Sequence, residues 1–292
     1  MVSEGATERR SWAYWTEPEW VEVDGVNSAY RRKGEGDSLL YLHGAGLTRQ
    51  WLPLYEHLSQ RFDVVVPEHP GFGDTPMPDW LRSVDDLVLH YDGLIDALGL
   101  ERVHLVGHSL GGWVAASLAI TYPRRFQSLT LIAPVGLRMP EAPVADAFRM
   151  GPEQAFEMLL NGAPTDKYIE HFVQAGELED TIQAYSESIT LARLMWNPRY
   201  DIRLDHRLAR VRIPTLVIGA EEDRLIPNAH IARWAELIEG AETSTVTGEP
   251  DEPTGHLLII QQPVQLAGAV AAHADRCPRV GGRNPRRDRL AP

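Results

Sequence analysis

Short apolar runs recur along the chain and alternate with segments whose apolar residues follow a helical period. Runs that are apolar at consecutive positions are typical of strands buried on both faces of a sheet. They predict strands at about 20–23, 28–31, 38–42, 62–66, 103–106, 128–133, 213–219 and 244–246. Helices are predicted at about 50–60, 84–98, 110–120 and 228–238, and a last helix from His256 to about Asp275. This order predicts an α/β fold with a mainly parallel sheet and helices on both of its faces.

The alternation stops between residues 137 and 209. Apolar residues in this stretch recur with a helical period, as at Phe156, Leu159 and Leu160. We expect a helical cap over the carboxyl ends of the strands, where open α/β sheets bind ligands. The predicted domains are therefore a core of residues 1–136 and 210–276 and a cap of residues 137–209. The same apolar residues would also serve simply to pack the insertion on the sheet.

Composition narrows the class of protein. A chain of 292 residues holds one large α/β domain or two small ones. The formal net charge of −13 argues against nucleic acid or an anionic membrane as a partner, because both attract a basic face. The chain has one cysteine, Cys277, and neither an apolar run of about 18 residues nor a signal-like apolar start. We expect a cytoplasmic protein whose arginine-rich tail, residues 277–292, is disordered.

A glycine–serine motif follows the predicted strand at 103–106. Gly107, Ser109 and Gly111 match G-x-S-x-G between a strand and a helix, which is the structural context that this motif requires. The tight turn brings the positions two residues before and after the serine close to neighbouring backbone, and glycine tolerates that approach. The motif therefore predicts a nucleophilic serine, whereas outside this context it would indicate a plain loop. The backbone N–H of Leu110, at the start of the helix, is a candidate oxyanion donor.

A second glycine-rich stretch, residues 43–46, follows the strand at 38–42. Such a loop can direct a backbone N–H into a cleft, and we choose that of Ala45 as the second oxyanion donor. The alternative is an ordinary turn between a strand and a helix. His43 is expected to orient this loop by hydrogen bonding. His69 and Glu68 suggest a metal site, but no metal-binding motif accompanies them.

A serine nucleophile needs a base and an acid that orients the base. The strand, tight turn and helix around Ser109 form what is called a nucleophile elbow. The chain offers Ser109, Asp223 and His256 in the order along the sequence that is expected with such an elbow. Asp223 follows a predicted strand and His256 follows the last one, so all three belong to the same end of the sheet. Taken alone, Asp223 and His256 are also consistent with residues at helix starts. Glu221 and Glu222 adjoin Asp223 and compete with it for the role of the acid.

These motifs together resemble the α/β-hydrolase superfamily over residues 20–275, in particular its capped, esterase-like serine hydrolases. The matching pieces are residues 107–112, 43–46, 70–73, 219–227 and 255–256 followed by Gln261 and Pro263. The resemblance implies an eight-stranded, mostly parallel sheet, a cap after the sixth strand and an oxyanion hole formed by the N–H groups of Ala45 and Leu110. His108, beside the serine, is interpreted as structural because adjacent side chains on a sharp turn point apart.

Departures from family patterns narrow the predicted chemistry. Haloalkane dehalogenases and epoxide hydrolases carry aspartate where this chain has Ser109. Carbon–carbon bond hydrolases of ring-fission products usually carry Asn, Met and Trp where this chain has His108, Leu110 and Leu257. We expect cleavage of a small, largely apolar carboxylic ester through an acyl-enzyme, with no cofactor or metal. A carbon–carbon bond hydrolase and a non-catalytic ligand-binding protein are the alternatives, and the oligomeric state stays open.

Overall fold

The computed structural model describes residues 14–172 and 177–277 and contains one eight-stranded sheet. Its strands are β1 Glu19–Val23, β2 Val26–Lys33, β3 Asp37–Leu42, β4 Phe62–Pro67, β5 Val103–His108, β6 Phe126–Ile132, β7 Thr215–Ala220 and β8 Glu242–Val246. Their order across the sheet is β1-β2-β4-β3-β5-β6-β7-β8. The pairs β1–β2 and β2–β4 are antiparallel, and all other pairs are parallel. The predicted eight-stranded, mostly parallel sheet is confirmed.

The described helices lie on both faces of the sheet and in the segment between β6 and β7. They are α1 Pro53–Ser59, α2 Val84–Ala97, α3 Leu110–Thr121, α4 Pro152–Leu159, α5 Glu177–Met195, α6 Leu204–Arg207, α7 Ala229–Leu237, α8 Leu258–Gln261 and α9 Pro263–Asp275. Successive residues of a strand point to opposite faces, so Leu40 and Leu42 of β3 belong to one buried cluster and Leu39 and Tyr41 to another. This explains why the central strands are apolar at every position.

The predicted last helix is wrong in two respects. His256 lies in the loop before α8, and the helical stretch is divided at Gln262, whose φ is −134°. The division arises because Pro263 lacks an N–H and its ring excludes the helical conformation for the residue before it. Because His256 lies in a loop, its backbone is not restricted to the helical conformation.

The segment between β6 and β7 contains α4, α5 and α6 together with short 3₁₀ turns. Glu187 on α5 accepts hydrogen bonds from the Thr48 hydroxyl (2.7 Å) and the Gly73 N–H (2.9 Å). At the end of α4, the Leu159 carbonyl accepts from the Leu257 N–H at 3.0 Å. These contacts hold the insertion against the loops that follow β3, β4 and β8, at the carboxyl ends of the strands.

The last described residue, Cys277, is the first of the predicted disordered tail. It is buried at the end of α9, and its thiol donates to the His273 carbonyl at 3.3 Å, so the prediction is wrong for this residue. The remaining tail, residues 278–292, lies outside the described residues. Within residues 14–172 and 177–277, no helix has both the length and the apolar composition needed to cross a bilayer.

Gly111 lies where α3 packs closely against the end of β3. A Cβ at this position would overlap the carbonyl oxygen of Leu42 and lie 2.5 Å from that of His43. We expect Gly111→Ala to lower the free energy of unfolding by about 1–3 kcal/mol, because backbone has to move to admit the methyl group. Urea unfolding monitored by circular dichroism measures this change.

Gly268 on α9 is the matched control, since a Cβ there would meet nothing within 4 Å. Gly268→Ala is expected to raise the free energy of unfolding by about 0.5–1 kcal/mol, the usual helix preference of alanine. Equal effects of the two substitutions would contradict the steric explanation.

Candidate active site

The serine elbow joins the end of β5 to the start of α3. Ser109 has φ +53° and ψ −114°, a conformation that non-glycine residues rarely adopt. A Cβ on Gly107 would overlap the Gly111 carbonyl oxygen, so both flanking glycines are required by close backbone packing. This confirms the steric reason for the motif. The Ser109 N–H donates to the Ile132 carbonyl at 2.9 Å, which attaches the turn to β6.

The structure brings together the three residues predicted from chain order. His256 Nδ1 lies 2.7 Å from Asp223 Oδ2, and His256 Nε2 lies 3.0 Å from Ser109 Oγ. Because the carboxylate can only accept, Nδ1 carries the proton and Nε2 is left to accept from the serine hydroxyl. All three residues are buried. The arrangement can move a proton from Ser109 to His256 and hold the resulting charge beside Asp223.

The turn after β7 explains which carboxylate faces His256. Asp223 Oδ1 accepts from the N–H groups of Leu225 (2.8 Å) and Ile226 (2.7 Å), so its second oxygen is directed at the imidazole. Glu221 accepts from Gly248 N–H at 3.1 Å, and Glu222 from the Asn161 amide at 3.3 Å. Both glutamates are exposed. The acid beside His256 is therefore Asp223.

The loop after β3 is held by buried hydrogen bonds, as the sequence predicts for His43. His43 Nδ1 donates to the Gly44 carbonyl (2.6 Å), and its Nε2 accepts from the His69 N–H (2.9 Å). His69 Nε2 donates in turn to the His43 carbonyl at 2.7 Å, and its Nδ1 contacts the Tyr91 hydroxyl. Burial lowers the pKa of His43 to about 4 and that of His69 well below its ordinary value. Both rings are therefore neutral at neutral pH and act as fixed braces.

Ala45 and Leu110 line the same cavity as Ser109. A Cβ on Gly44 would lie 3.2 Å from the Ser109 Cβ, so this loop passes directly beside the serine. As the first helical residue, Leu110 has an N–H without an acceptor inside α3. Ala45 and Leu110 thus lie beside Ser109, and the role of their N–H groups as oxyanion donors stays a prediction.

His108 contacts the site without contacting the serine hydroxyl. Its Nε2 donates to the His256 carbonyl at 3.1 Å, and the two rings lie with centroids 5.0 Å apart. Burial, and after it electrostatic coupling to the neighbouring His256 ring, hold the pKa of His108 well below its ordinary value. A neutral ring bound to the backbone of His256 is consistent with its predicted structural role.

A cavity of about 170 Å³ opens beside Ser109, and its wall is mostly apolar. The insertion contributes Val144, Ala145, Ala147, Phe148, Leu159, Leu191, Met195 and Arg199 to this wall. Two of the lining residues, Arg199 and Tyr55 on α1, were not predicted from the sequence. No motif or spacing in the sequence marks either residue as facing a cavity. Among the described lining residues, Arg199 is the only one with a permanently charged side chain.

Glu68 and His69, considered above as metal ligands, have other partners. Glu68 binds the Arg31 guanidinium at 2.6 Å and accepts from the Arg49 N–H at 3.0 Å. Across the described ranges, no group of three or more His, Cys, Asp or Glu side chains is placed to hold a metal ion. These two residues brace the loop after β4.

Comparison with known proteins agrees with this geometry. The sequence model of the alpha/beta hydrolase family matches residues 39–269. The chain is 30% identical over 219 residues to a 2-hydroxy-6-oxo-6-phenylhexa-2,4-dienoate hydrolase from Comamonas testosteroni, covering 69% of this chain and 76% of that protein. It is 29% identical over 227 residues to the dihydrolipoyllysine-residue acetyltransferase component of the acetoin cleaving system of Cupriavidus necator. That match covers 73% of this chain but only 59% of the longer relative.

A solved structure extends the comparison to the fold. The meta-cleavage product hydrolase of Pseudomonas fluorescens IP01 is similar with a TM-score of 0.71 and 23% identity, covering 88% of this chain and 97% of that one. At 23% sequence identity, this similarity shows a shared fold and nothing further. Since the family model spans most of the chain, and the sheet, the elbow and the Ser109–His256–Asp223 contacts all agree with it, the protein belongs to the alpha/beta hydrolase family.

Proposed function

We propose that this protein is a serine hydrolase that cleaves a small, largely apolar carboxylic ester. The observation that carries the proposal is the hydrogen-bonded series Ser109–His256–Asp223 at one side of a small apolar cavity. The cavity volume of about 170 Å³ lies below the roughly 300–1,000 Å³ typical of pockets for drug-sized ligands. Its size and apolar wall therefore favour a small substrate.

In the first half of the reaction, Ser109 Oγ attacks the ester carbonyl carbon while its proton passes to His256 Nε2. The carbonyl oxygen becomes negative, and the N–H groups of Ala45 and Leu110 stabilise it. Asp223 keeps the imidazole oriented and stabilises its positive charge. His256 then gives its proton to the alkoxide as the carbon–oxygen bond breaks, so that an alcohol leaves and an acyl-serine remains.

In the second half, a water molecule attacks the acyl-serine carbonyl and gives a proton to His256. The tetrahedral adduct collapses, the bond to Ser109 Oγ breaks, and the proton returns from His256 to the serine oxygen. The products are a carboxylic acid and the original enzyme. Apart from the ester and one water molecule, these steps use only groups of this chain.

In this proposal, the insertion at residues 137–209 acts as a cap. It contributes a large part of the apolar cavity wall, including Phe148 and Met195, and its helices contact the loops around Ser109. Covering the site with apolar side chains excludes bulk water and strengthens the electrostatic interactions inside. The cap is thus the part of the chain that selects the acyl and alcohol groups.

A second candidate is hydrolysis of a carbon–carbon bond in a vinylogous diketone. The similarity to the dienoate hydrolase of Comamonas testosteroni supports it. Against it stand His108, Leu110 and Leu257, which occupy positions where such hydrolases usually carry Asn, Met and Trp. A non-catalytic ligand-binding role is the weakest alternative, because ligand binding does not require the hydrogen bond between Ser109 Oγ and His256 Nε2.

A panel of substrates with one shared detection method tests the proposal. We expect p-nitrophenyl esters of acetate to hexanoate to be hydrolysed with kcat/KM at least tenfold above that of a ring-fission dienoate. An organophosphonate is expected to modify Ser109 covalently, as seen by peptide mass spectrometry. Faster turnover of the dienoate would favour carbon–carbon cleavage instead. Absence of both turnover and adduct would favour a binding protein.

A further inference from the structure

A second, larger cleft lies next to the active-site cavity. It has a volume of about 580 Å³ and is formed where the two ends of the insertion meet, near the start of α7. Val144 and Arg199 line both spaces, so the two cavities share a wall. The proposed hydrolysis does not use this cleft.

The cleft is positively charged although the chain as a whole is acidic. Its charged lining consists of Arg138, Arg149 and Arg199 against the single carboxylate of Asp146. The protein carries 41 acidic and 28 basic residues, so this local excess departs from the overall balance. A concave surface with a net positive charge concentrates anions at its wall.

Two of these guanidinium groups keep hydrogen-bond donors available for a ligand. In the described part of the chain, no carboxylate lies within salt-bridge distance of Arg138, whose guanidinium carbon lies 5.7 Å from the centroid of the Tyr200 ring. Arg199 uses one nitrogen to bind Asp146 at 2.6 Å and lies against the Phe148 ring. A planar guanidinium held on an aromatic face is well suited to bind a carboxylate through two parallel hydrogen bonds.

Aromatic side chains give the cleft an apolar wall. Trp196 lines it with 56% of its surface exposed, and the indole is fixed edge-on against Phe148 with ring centroids 5.0 Å apart. Tyr200 lies beneath Arg138 in the same cleft. An exposed aromatic ring such as Trp196, beside cationic groups, is typical of sites for ligands that combine an apolar body with an anionic group.

The cleft wall is tied to the core and therefore preformed. His230 Nε2 donates to the Ala142 carbonyl at 2.8 Å, and the Ala145 N–H donates to the Leu225 carbonyl at 3.0 Å. At the other end of the insertion, the Asp201 N–H donates to the Gly136 carbonyl at 3.0 Å. A preformed wall reduces the conformational entropy that a ligand has to overcome on binding.

From these observations we infer that the cleft binds a small aromatic carboxylate, with its acid group at Arg138 and Arg199 and its ring at Trp196. The site is distinct from the serine centre, because Arg138, Trp196 and Tyr200 line the cleft and do not line the active-site cavity. Binding requires no chemistry at Ser109.

Isothermal titration calorimetry of the full chain with benzoate tests the inference. Benzamide, which replaces the carboxylate by a neutral amide, and acetate, which lacks the ring, are titrated in parallel. We expect saturable one-site binding of benzoate and at least tenfold weaker binding of benzamide and of acetate. A repeat titration with the Ser109→Ala protein is expected to give an unchanged benzoate affinity. An absence of benzoate binding can therefore be distinguished from a failure of the proposed hydrolysis.

Substitutions locate the binding site. Arg138→Gln and Arg199→Gln are each expected to weaken benzoate binding roughly tenfold, because each removes charge-assisted hydrogen bonds. Arg124→Gln, which removes the same charge from an exposed position outside the cleft, should have no effect. Equal affinity for benzamide, undetectable benzoate binding, or an unchanged affinity in Arg138→Gln would each overturn the inference. The comparison of benzoate with benzamide uses the unsubstituted protein, so it tests the inference even if a variant misfolds.

Discussion

Replacing Ser109 by alanine is expected to lower kcat for p-nitrophenyl butyrate by roughly 10⁴-fold or more, with little change in stability. The expectation follows from the 3.0 Å contact between Ser109 Oγ and His256 Nε2, which makes this hydroxyl the group that the imidazole can activate. Residual activity would come from the oxyanion donors and the apolar cavity alone. Steady-state kinetics with purified protein, at substrate concentrations spanning KM, measures the effect.

Ser117 provides the matched control on the same helix. It is partly buried on α3 and does not line the active-site cavity. Ser117→Ala is expected to keep kcat within about twofold of the original protein. If Ser109→Ala hydrolysed the ester at the original rate while retaining its fold by circular dichroism, the acyl-enzyme mechanism would be excluded.

The second large effect is expected from Asp223→Asn. In this variant the asparagine oxygen would keep accepting from the Leu225 and Ile226 N–H groups, so its NH₂ would face His256 Nδ1. Nδ1 would then have to accept, and the ring proton would move to Nε2, the nitrogen that faces Ser109. The base would be in the wrong tautomer, and we expect kcat to fall by roughly 10³–10⁴-fold.

Glu222 is the control for this substitution because it is the adjacent carboxylate in the chain. It is exposed and contacts Asn161 rather than His256. Glu222→Gln is expected to change kcat by less than about threefold. A larger loss in Glu222→Gln than in Asp223→Asn would mean that the acid has been assigned to the wrong residue.

The two predictions show what local sequence can and cannot specify. The elbow is a steric device within five residues, so the glycines around Ser109 identify it once a strand precedes and a helix follows. The choice among Glu221, Glu222 and Asp223 is different. Three successive residues of one turn direct their side chains differently, and only the fold shows that Asp223 is directed at His256.

The boundaries of the last two helices, α8 and α9, are a second feature that the local sequence does not specify. The apolar pattern from His256 to Asp275 predicts one helix, yet the chain divides at Gln262 before Pro263. A proline disfavours the helical conformation of the residue before it, so a break at Gln262 is compatible with the sequence. The apolar residues on both sides nevertheless follow a helical period, and that pattern predicts one continuous helix. The loop that carries His256 is fixed by the insertion, so its conformation is a tertiary effect. The Leu257 N–H donates to the Leu159 carbonyl, and a Cβ on Gly255 would lie 2.7 Å from the same oxygen.

By itself, the sequence determined a mostly parallel sheet, the order of strands and helices along the chain, the elbow, and the order in which serine, acid and histidine occur. These properties depend on short-range periodicity and on sterics within a few residues. The tertiary structure alone decided which side chains enclose the cavity, that Arg199 belongs to its wall, and that Arg138 and Trp196 share a cleft with Arg199. The physical reason is distance along the chain: Ser109 and His256 are 147 positions apart, and their contact depends on how all the intervening elements pack.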